Sequence, residues 1–351
     1  MASIEAPDAA SAGLASIGLL GAGRMGRGIA LAFAFAGHEA VLIDIKPRSD
    51  AAFALLHRQA QQEIAAGLAT MVRIGALTQD QTQAVAARIR TVGLAQAPQA
   101  LARTDVLFEG VPETLEAKRE ALAFASAHLR PTAIVASTTS TILSTELAAM
   151  VTAPERFLNA HWLNPAFLIP IVELSPHAGT SEAVVEALAA ILRRLGKRPI
   201  RCAATPGYVV PRLQSLIMNE AARMVEDGVA SAEAIDEAVR YGFGFRYTTV
   251  GAIEFIDFGG LDILYHANRY LTETLGERYR LAPIVERYMH EGRLGLRTGK
   301  GFYDYPGDDA DARRTEVLQR QFQLLRFLGA APRRDAALRD STSEANPGSS
   351  L

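Results

Sequence analysis

The sequence predicts an α/β domain on a mainly parallel, doubly wound sheet, followed by an all-helical domain. Three observations carry this. From residue 15 to about 204, short apolar runs alternate with stretches of helical period. After Cys202 the strand-like runs stop, a Thr205-Pro206-Gly207 break intervenes, and long helical patterns follow. Near the start, Ser16-Ile-Gly-Leu-Leu-Gly21-Ala-Gly23-Arg-Met-Gly26 runs an apolar segment into glycines spaced G-x-G-x-x-G.

That segment defines the first elements. The short apolar run that leads from Ser16 into the glycines reads as a buried strand. A helix then begins, with Met25, Ile29, Ala30, Phe33 and Ala34 on one side and Gly37 where it should stop. A second apolar run, Ala40-Val-Leu-Ile43, delivers Asp44. Strand, tight turn, helix, strand and acid make a Rossmann-type dinucleotide-binding unit. Gly21 permits the turn, Gly23 lets the backbone approach a pyrophosphate, and Gly26 lets the helix pack close to the sheet. The helix N-terminus offers free N–H groups and a positive dipole to the phosphates. Asp44 follows the first glycine by about 20 residues and would accept hydrogen bonds from a ribose. Its carboxylate would repel a 2′-phosphate, so NAD is expected. Lys46 and Arg48 lie just beyond, so NADP is disfavoured rather than excluded.

The later elements follow the same logic. Val106-Leu-Phe-Glu109, Ala133-Ile-Val-Ala136, Leu158-Asn-Ala-His161 and Ile171-Val-Glu-Leu174 read as short buried strands, with helices over 50–67 and 181–195. In the second domain, helices are expected over 209–228, 232–241, 261–275 and 283–291. Another should run over 312–328, with Val317, Leu318, Phe322, Leu325 and Leu328 on one side. The expected organisation is a disordered arm at 1–14, the NAD-binding domain at 15–204, a helical substrate and dimerisation domain at 205–330, and a disordered tail at 331–351.

Bulk properties narrow the partners. A chain of 351 residues has room for both domains and a sizeable core. The net charge of −2, with acids and bases interspersed, argues against nucleic acid or an anionic membrane surface. No apolar run approaches the ~20 residues of a membrane span, and residues 1–12 lack the basic start and apolar core of a secretory signal. Cys202 is the only cysteine, which rules out an intrachain disulfide and fits a reducing, cytoplasmic setting. Neither H-E-x-x-H nor C-x-x-C occurs, and no metal site is expected.

Candidate chemistry concentrates between Ser137 and Pro176. Hydroxyls crowd the end of one strand in Ser137-Thr-Thr-Ser140-Thr, and His161 ends the next, ahead of Trp162-Leu-Asn164-Pro165. Ligands of open α/β sheets bind outside the carboxyl ends of strands. Oxidising an alcohol needs a base for the hydroxyl proton, and histidine suits that role near neutral pH. Glu173 could hold the far ring nitrogen and balance the imidazolium. Ser140 could hydrogen-bond the reacting oxygen, and Asn164 could orient His161 or the substrate. Each also has a plainer reading: a core histidine, a surface glutamate, a helix N-cap at Ser140 and a common turn at Asn164-Pro165.

Taken together, these residues resemble the L-3-hydroxyacyl-CoA dehydrogenases and their relatives that act on free hydroxy acids. The resemblance covers about residues 15 to 305. It includes the glycine loop, Glu109-Gly-Val-Pro-Glu113, Ser137 to Ser140, His161-x-x-Asn164-Pro165 and Val172-Glu173. Thr205-Pro-Gly207-Tyr and Gly295-Leu-Arg-Thr-Gly299-Lys-Gly301-Phe-Tyr follow in order. It implies a homodimer built through the helical domain, with Ser140, His161, Glu173 and Asn164 as catalytic residues. It places Gly21, Gly23, Arg24, Met25, Gly26 and Asp44 at the cofactor, with Glu113 and Lys118 where members of the family contact it.

Three departures bear on substrate. The family usually carries an asparagine before arginine and leucine in the segment after Pro206-Gly207; here it is Pro211-Arg212-Leu213. Ile169-Pro170-Ile171 stands where CoA-type members tend to have a lysine. Gly242-Phe-Gly-Phe-Arg246-Tyr-Thr-Thr is longer than usual and looks more like gulonate and carnitine dehydrogenases and lambda-crystallin. Arg246 could clamp a free carboxylate with two prongs, or serve an interface ion pair. The expected activity is NAD-dependent oxidation of a short 3-hydroxyacyl substrate, as CoA thioester or free acid, to the 3-oxo product. One alternative is an NAD-binding structural protein weakened by Pro211. Another is the lysine-based 3-hydroxyisobutyrate group, which the His161-x-x-Asn-Pro motif disfavours.

Overall fold

Eight strands form a single sheet in the computed structural model, which describes residues 15–331. The expected arm at 1–14, and the expected tail beyond residue 331, lie outside the described residues. The strands are β1 (Ile17–Leu20), β2 (Ala40–Ile43), β3 (Ile89–Val92), β4 (Val106–Glu109), β5 (Ile134–Ser137), β6 (Phe157–Trp162), β7 (Ile171–Pro176) and β8 (Arg198–Arg201). Their order across the sheet is β3-β2-β1-β4-β5-β6-β7-β8. Every neighbouring pair is parallel except β6 and β7, which run antiparallel. Strands β1, β2, β4 and β5 are buried at every position, as continuous apolar runs covered on both faces must be.

The first half carries helices α1 (Arg24–Phe35), α2 (Asp50–Arg73), α3 (Gln81–Ala86), α4 (Ala97–Leu101), α5 (Leu115–Ser126), α6 (Ser144–Leu147) and α7 (Glu182–Arg194). Helix α1 stops as expected. Gly37 takes φ +98°, its N–H donates to Ala34 O, and the His38 N–H donates to Phe33 O, a Schellman closure. Helix α2 runs past the expected end at Gly67. A Cβ there would lie 2.7 Å from Leu31 Cδ2, so this glycine serves the close approach of α1 and α2 rather than a stop. One apolar cluster packs α1, α2 and α7 on one sheet face, and a second packs α4 and α5 on the other. Phe33, Phe108 and Trp162 meet inside the first, with ring centroids 5.6 to 6.1 Å apart.

The second half is helical: α8 (Val210–Glu226), α9 (Ala232–Ala238), α10 (Phe245–Tyr247), α11 (Ala252–Gly259), α12 (Leu261–Leu275), α13 (Pro283–His290) and α14 (Asp309–Phe327). The chain divides into two compact units between Met218 and Asn219, inside α8. Between α9 and α10, residues 239–244 form one π-helical turn. A Cβ on Gly244 would sit 2.4 Å from Val239 O, so only glycine fits there. The Gly242-to-Thr249 segment is largely helical. Asp257, almost fully buried, accepts hydrogen bonds from the Phe302 and Tyr303 N–H groups and the Tyr305 hydroxyl, fastening the glycine-rich segment after α13. Among the described residues, no helix is long and apolar enough to cross a membrane.

Candidate active site

The glycine turn joins β1 to α1. Gly21 has φ +104°, and a Cβ on it would lie 2.8 Å from Gly110 O. A Cβ on Gly26 would lie 2.4 Å from Gly21 O, so the third glycine is set by the turn's own carbonyl more than by the sheet. Gly23 is different. The nearest atom to its notional Cβ is 4.0 Å away, leaving open space at the helix start. No side chain caps Gly23, so the first N–H groups of α1 stay available to an anion. Arg24 is exposed and Met25 half-buried on this first turn.

A cavity of about 510 Å³ opens beside the turn, lined by Gly21, Gly23, Asp44, Lys46, Arg48 and Val111 among others. Asp44, 6% exposed, ends β2 at its rim. Its carboxylate is not alone: Arg48 Nε donates to Oδ2 at 2.5 Å and Nη2 to Oδ1 at 3.4 Å. Open backbone at Gly23, an uncapped helix and an acid at the strand end together fit a dinucleotide.

The next strand ends hold a buried ionic network. Glu109, fully buried, accepts from Lys118 Nζ at 3.0 and 3.1 Å, from Ser137 Oγ at 2.5 Å and from the Val111 N–H at 2.8 Å. Lys118, 1% exposed, also reaches Glu113 Oε2 at 3.2 Å. Glu113 Oε1 in turn accepts from the Ser140 and Thr141 N–H groups at 3.0 and 3.2 Å, and from the Thr139 and Thr141 hydroxyls. Partial burial pushes the Glu113 carboxyl up. The Thr139 hydroxyl and the Lys118 charge outweigh this and hold it below the usual glutamate range. One carboxylate thus grips the whole Thr139–Thr141 loop and leaves Ser140 exposed at its tip.

His161 and Glu173 face each other across the antiparallel β6–β7 pair, at the same register position. His161 Nδ1–H donates to Glu173 Oε2 at 2.8 Å. The other oxygen, Oε1, accepts the Val209 and Val210 N–H groups at 2.9 and 2.8 Å. These belong to the start of α8, where backbone donors lack helical partners. Pro211 comes next, so the position without an N–H falls where none is needed. Burial raises the Glu173 carboxyl, but the imidazole and the two N–H groups outweigh it and hold the carboxyl below its usual range. With Nδ1 committed, Nε2 is left as the proton acceptor. The Tyr208 ring stacks on the imidazole, centroids 5.0 Å apart and planes at 16°.

The structure places the other expected residues as follows. Asn164 is exposed on the turn after β6, in a groove of about 380 Å³ with Arg24, Leu31, Ile64 and Phe167. That turn is pinned by Lys197, 5% exposed, whose Nζ donates to Ala166 O at 2.6 Å and Ile169 O at 2.7 Å. Burial pushes this ammonium below its ordinary range. Arg246 lies in the second unit on α10, its guanidinium 5.4 Å from the Phe255 ring centroid. Sequence reasoning gave no role in this region to Tyr208, which it met only as the end of Thr205-Pro-Gly207-Tyr, nor to Asn159 and Lys197; burial is what singles these three out.

Comparison with known proteins is consistent in both halves. The family model "3-hydroxyacyl-CoA dehydrogenase, NAD binding domain" matches residues 16–205, and the "C-terminal domain" of the same family matches residues 207–305. The chain is 35% identical over 292 residues to 3-hydroxybutyryl-CoA dehydrogenase of Bradyrhizobium diazoefficiens, covering 83% of this chain and 95% of that one. It is 27% identical to 5-formyl-3-hydroxy-2-methylpyridine 4-carboxylate 5-dehydrogenase of Mesorhizobium japonicum, covering 89% and 98%. The crystal structure of a 3-hydroxyacyl-CoA dehydrogenase from Archaeoglobus fulgidus superposes with a TM-score of 0.69 at 29% identity, covering 90% of this chain and 99% of that one. Both family domains run in sequence through this one chain, and its dinucleotide cavity belongs to the first. The chain therefore belongs to the 3-hydroxyacyl-CoA dehydrogenase family, as an NAD-dependent oxidoreductase acting on CH–OH groups.

Proposed function

We propose that the protein oxidises a short-chain L-3-hydroxyacyl substrate to its 3-oxo product, with His161 as base and Glu173 as its partner. The observation that carries this is the Nδ1–H bond to Glu173, which leaves Nε2 free to take a proton. NAD, when bound, accepts the hydride from the alcohol carbon. His161 Nε2 takes the hydroxyl proton, and the buried Glu173 carboxylate balances the imidazolium charge. Ser140, at the tip of the loop held by Glu113, donates a hydrogen bond to the reacting oxygen. Asn164 orients the substrate from its turn beside the groove. Gly21, Gly23, Arg24, Met25 and Gly26 hold the pyrophosphate, and Asp44 holds the adenosine ribose. Glu113 and Lys118 would help to hold the cofactor, Lys118 also pairing with Glu113.

The substrate is a CoA thioester in the first reading, as the Bradyrhizobium relative's name states for that enzyme. A specific observation supports a second reading. The Mesorhizobium relative's named substrate is a carboxylate, and Arg246 is an exposed guanidinium that could meet one. The functional unit is a homodimer formed through the second unit, whose helix α12 exposes Ile263 (65%) and Tyr270 (66%) on one face. NADH formation should be measured against matched CoA thioesters and free acids of 3-hydroxybutyrate, carnitine and gulonate. Turnover of one set only decides the substrate class. Absence of NADH with every compound, for protein shown to bind NAD, would defeat the proposal. For the free-acid reading, Arg246→Lys should raise KM about ten- to a hundred-fold on the acid and leave a neutral ester unaffected.

A further inference from the structure

We infer that Tyr208 is a positioning residue that sets where the Ser140 hydroxyl stands relative to the His161 ring. This rests on the roles proposed above for His161 and Ser140. Tyr208 is the single non-glycine residue with positive φ, +44°, among the described residues. That backbone region is costly for an aromatic side chain and persists only where the surroundings enforce it. The reversal, which begins at Gly207 with φ +79°, turns the ring inward until it is 5% exposed.

Three contacts radiate from that point. The ring lies flat on His161. The hydroxyl donates to Thr139 O at 2.9 Å and accepts from Asn159 Nδ2 at 3.1 Å. Asn159, fully buried at the β6 position two residues before His161, also donates to Ile142 O at 2.9 Å. Tyr208 and Asn159 therefore hold the carbonyls of residues 139 and 142, while Glu113 holds the Ser140 and Thr141 N–H groups and the Thr139 and Thr141 hydroxyls. Ser140 sits between the two grips. Burial pushes the Tyr208 phenol well above its ordinary range, so it remains protonated and a donor across the working pH range. One rigid side chain thus touches both the face of the base and the loop that presents the serine. The next two backbone N–H groups hold Glu173.

The ring and the hydroxyl can be tested separately. Tyr208→Phe keeps the ring and backbone but removes the donor. We expect kcat to fall about tenfold, the weight of one lost hydrogen bond at a reacting geometry, with the Kd for NAD unchanged. In a Ser140→Ala background the same change should cost no more than about twofold, because there is no longer a serine hydroxyl to misplace. Tyr208→Leu should lower kcat further. Amide hydrogen exchange over residues 138–143 should quicken in Tyr208→Phe while exchange in β1 stays constant. A kcat within twofold of wild type, or equal losses in both backgrounds, would overturn the inference. If the wild-type protein oxidises no hydroxy substrate, the proposed function fails, and the exchange measurement alone decides this inference: unchanged exchange over 138–143 overturns it, and faster exchange supports it.

Discussion

Replacing Glu173 with glutamine tests the His161 pair more sharply than removing it, because the geometry dictates how the amide must sit. The carboxylate uses both oxygens as acceptors: Oε2 from His161 Nδ1–H, and Oε1 from the Val209 and Val210 N–H groups. An amide has one acceptor oxygen. If it faces His161, the NH₂ group opposes two backbone donors in a fully buried place. Leaving two buried donors unpaired costs about 2–6 kcal/mol, at roughly 1–3 each. If the oxygen faces the backbone instead, the NH₂ group donates to Nδ1. The imidazole must then carry its hydrogen on Nε2 and cannot accept the substrate proton. The second arrangement wins by about the same 2–6 kcal/mol, which leaves the active tautomer at roughly one part in 30 to one in 10⁴. Losing the countercharge to the imidazolium adds to the loss. An acid-to-amide exchange in a comparable histidine–carboxylate pair costs about 10⁴ in kcat through the wrong tautomer. We therefore expect Glu173→Gln to lower kcat by about 10³–10⁴ at neutral pH, read as initial and single-turnover rates of NADH formation. The Kd for NAD, titrated by fluorescence, should stay near wild type. A kcat within tenfold of wild type would refute the tautomer argument and remove Glu173 from the mechanism.

Three further outcomes follow from the same structure. Lys118→Met should destabilise the NAD-free protein by about 3–5 kcal/mol in urea unfolding, because it strands the buried Glu109 charge; unchanged stability would mean that Lys118 serves only the cofactor. Asp44→Ser should remove the repelling carboxylate and release Arg48 toward a 2′-phosphate, so the ratio of kcat/KM for NADP over NAD should rise; an unchanged ratio would unseat Asp44 as the discriminator. Glu113 and Glu173 both titrate below the ordinary value of 4.5 in the folded protein, so the unfolded chain binds their protons first. Their contribution to stability is therefore complete above 4.5 and lost as pH falls through the lower folded values. Urea unfolding free energies should decline over that acidic window, and Glu113→Gln should flatten part of the decline.

What could be read from the sequence tracks what local chemistry determines. Strands β2 and β4 have the predicted ends because each is a short, fully buried run, apolar throughout in β2 and up to Glu109 in β4. Strands β3, Ile-Arg-Thr-Val, and β8, Arg-Pro-Ile-Arg, escaped notice because the ends of a sheet are only half-covered and tolerate charge and proline. Gly67 reads as a helix stop from sequence, whereas its role is a contact with Leu31, which no local pattern reveals. The paired charges behaved similarly. Glu109 and Asp44 stand out as acids at strand ends, and Lys118 and Arg48 stand out for other reasons, but their ion pairs do not show in the sequence: Lys118 comes from the following helix, and Arg48 lies in the segment ahead of α2.

The antiparallel pairing of β6 and β7 shows most directly how topology makes the proposed base. Alternating strands and helices predict a sheet that is mainly parallel, and the six strands β1 to β6 satisfy that pattern without placing an acid opposite His161, while β7 and β8 run the other way. Parallel neighbours need a crossover of a dozen or more residues. The chain between Trp162 and Ile171 is too short for one, so β7 must return alongside β6 in the opposite sense. That reversal sets His161 directly across from Glu173. Paired residues of an antiparallel ladder project from the same face, with Cβ atoms about 5 Å apart, close enough for an imidazole and a carboxylate to meet. A shift of one residue in either strand would turn one partner to the other face. The short turn that carries Asn164, held by Lys197 through two carbonyls, is what fixes the register. The same eight-residue connection that presents Asn164 to the groove therefore also sets the alignment on which the proposed proton acceptor depends.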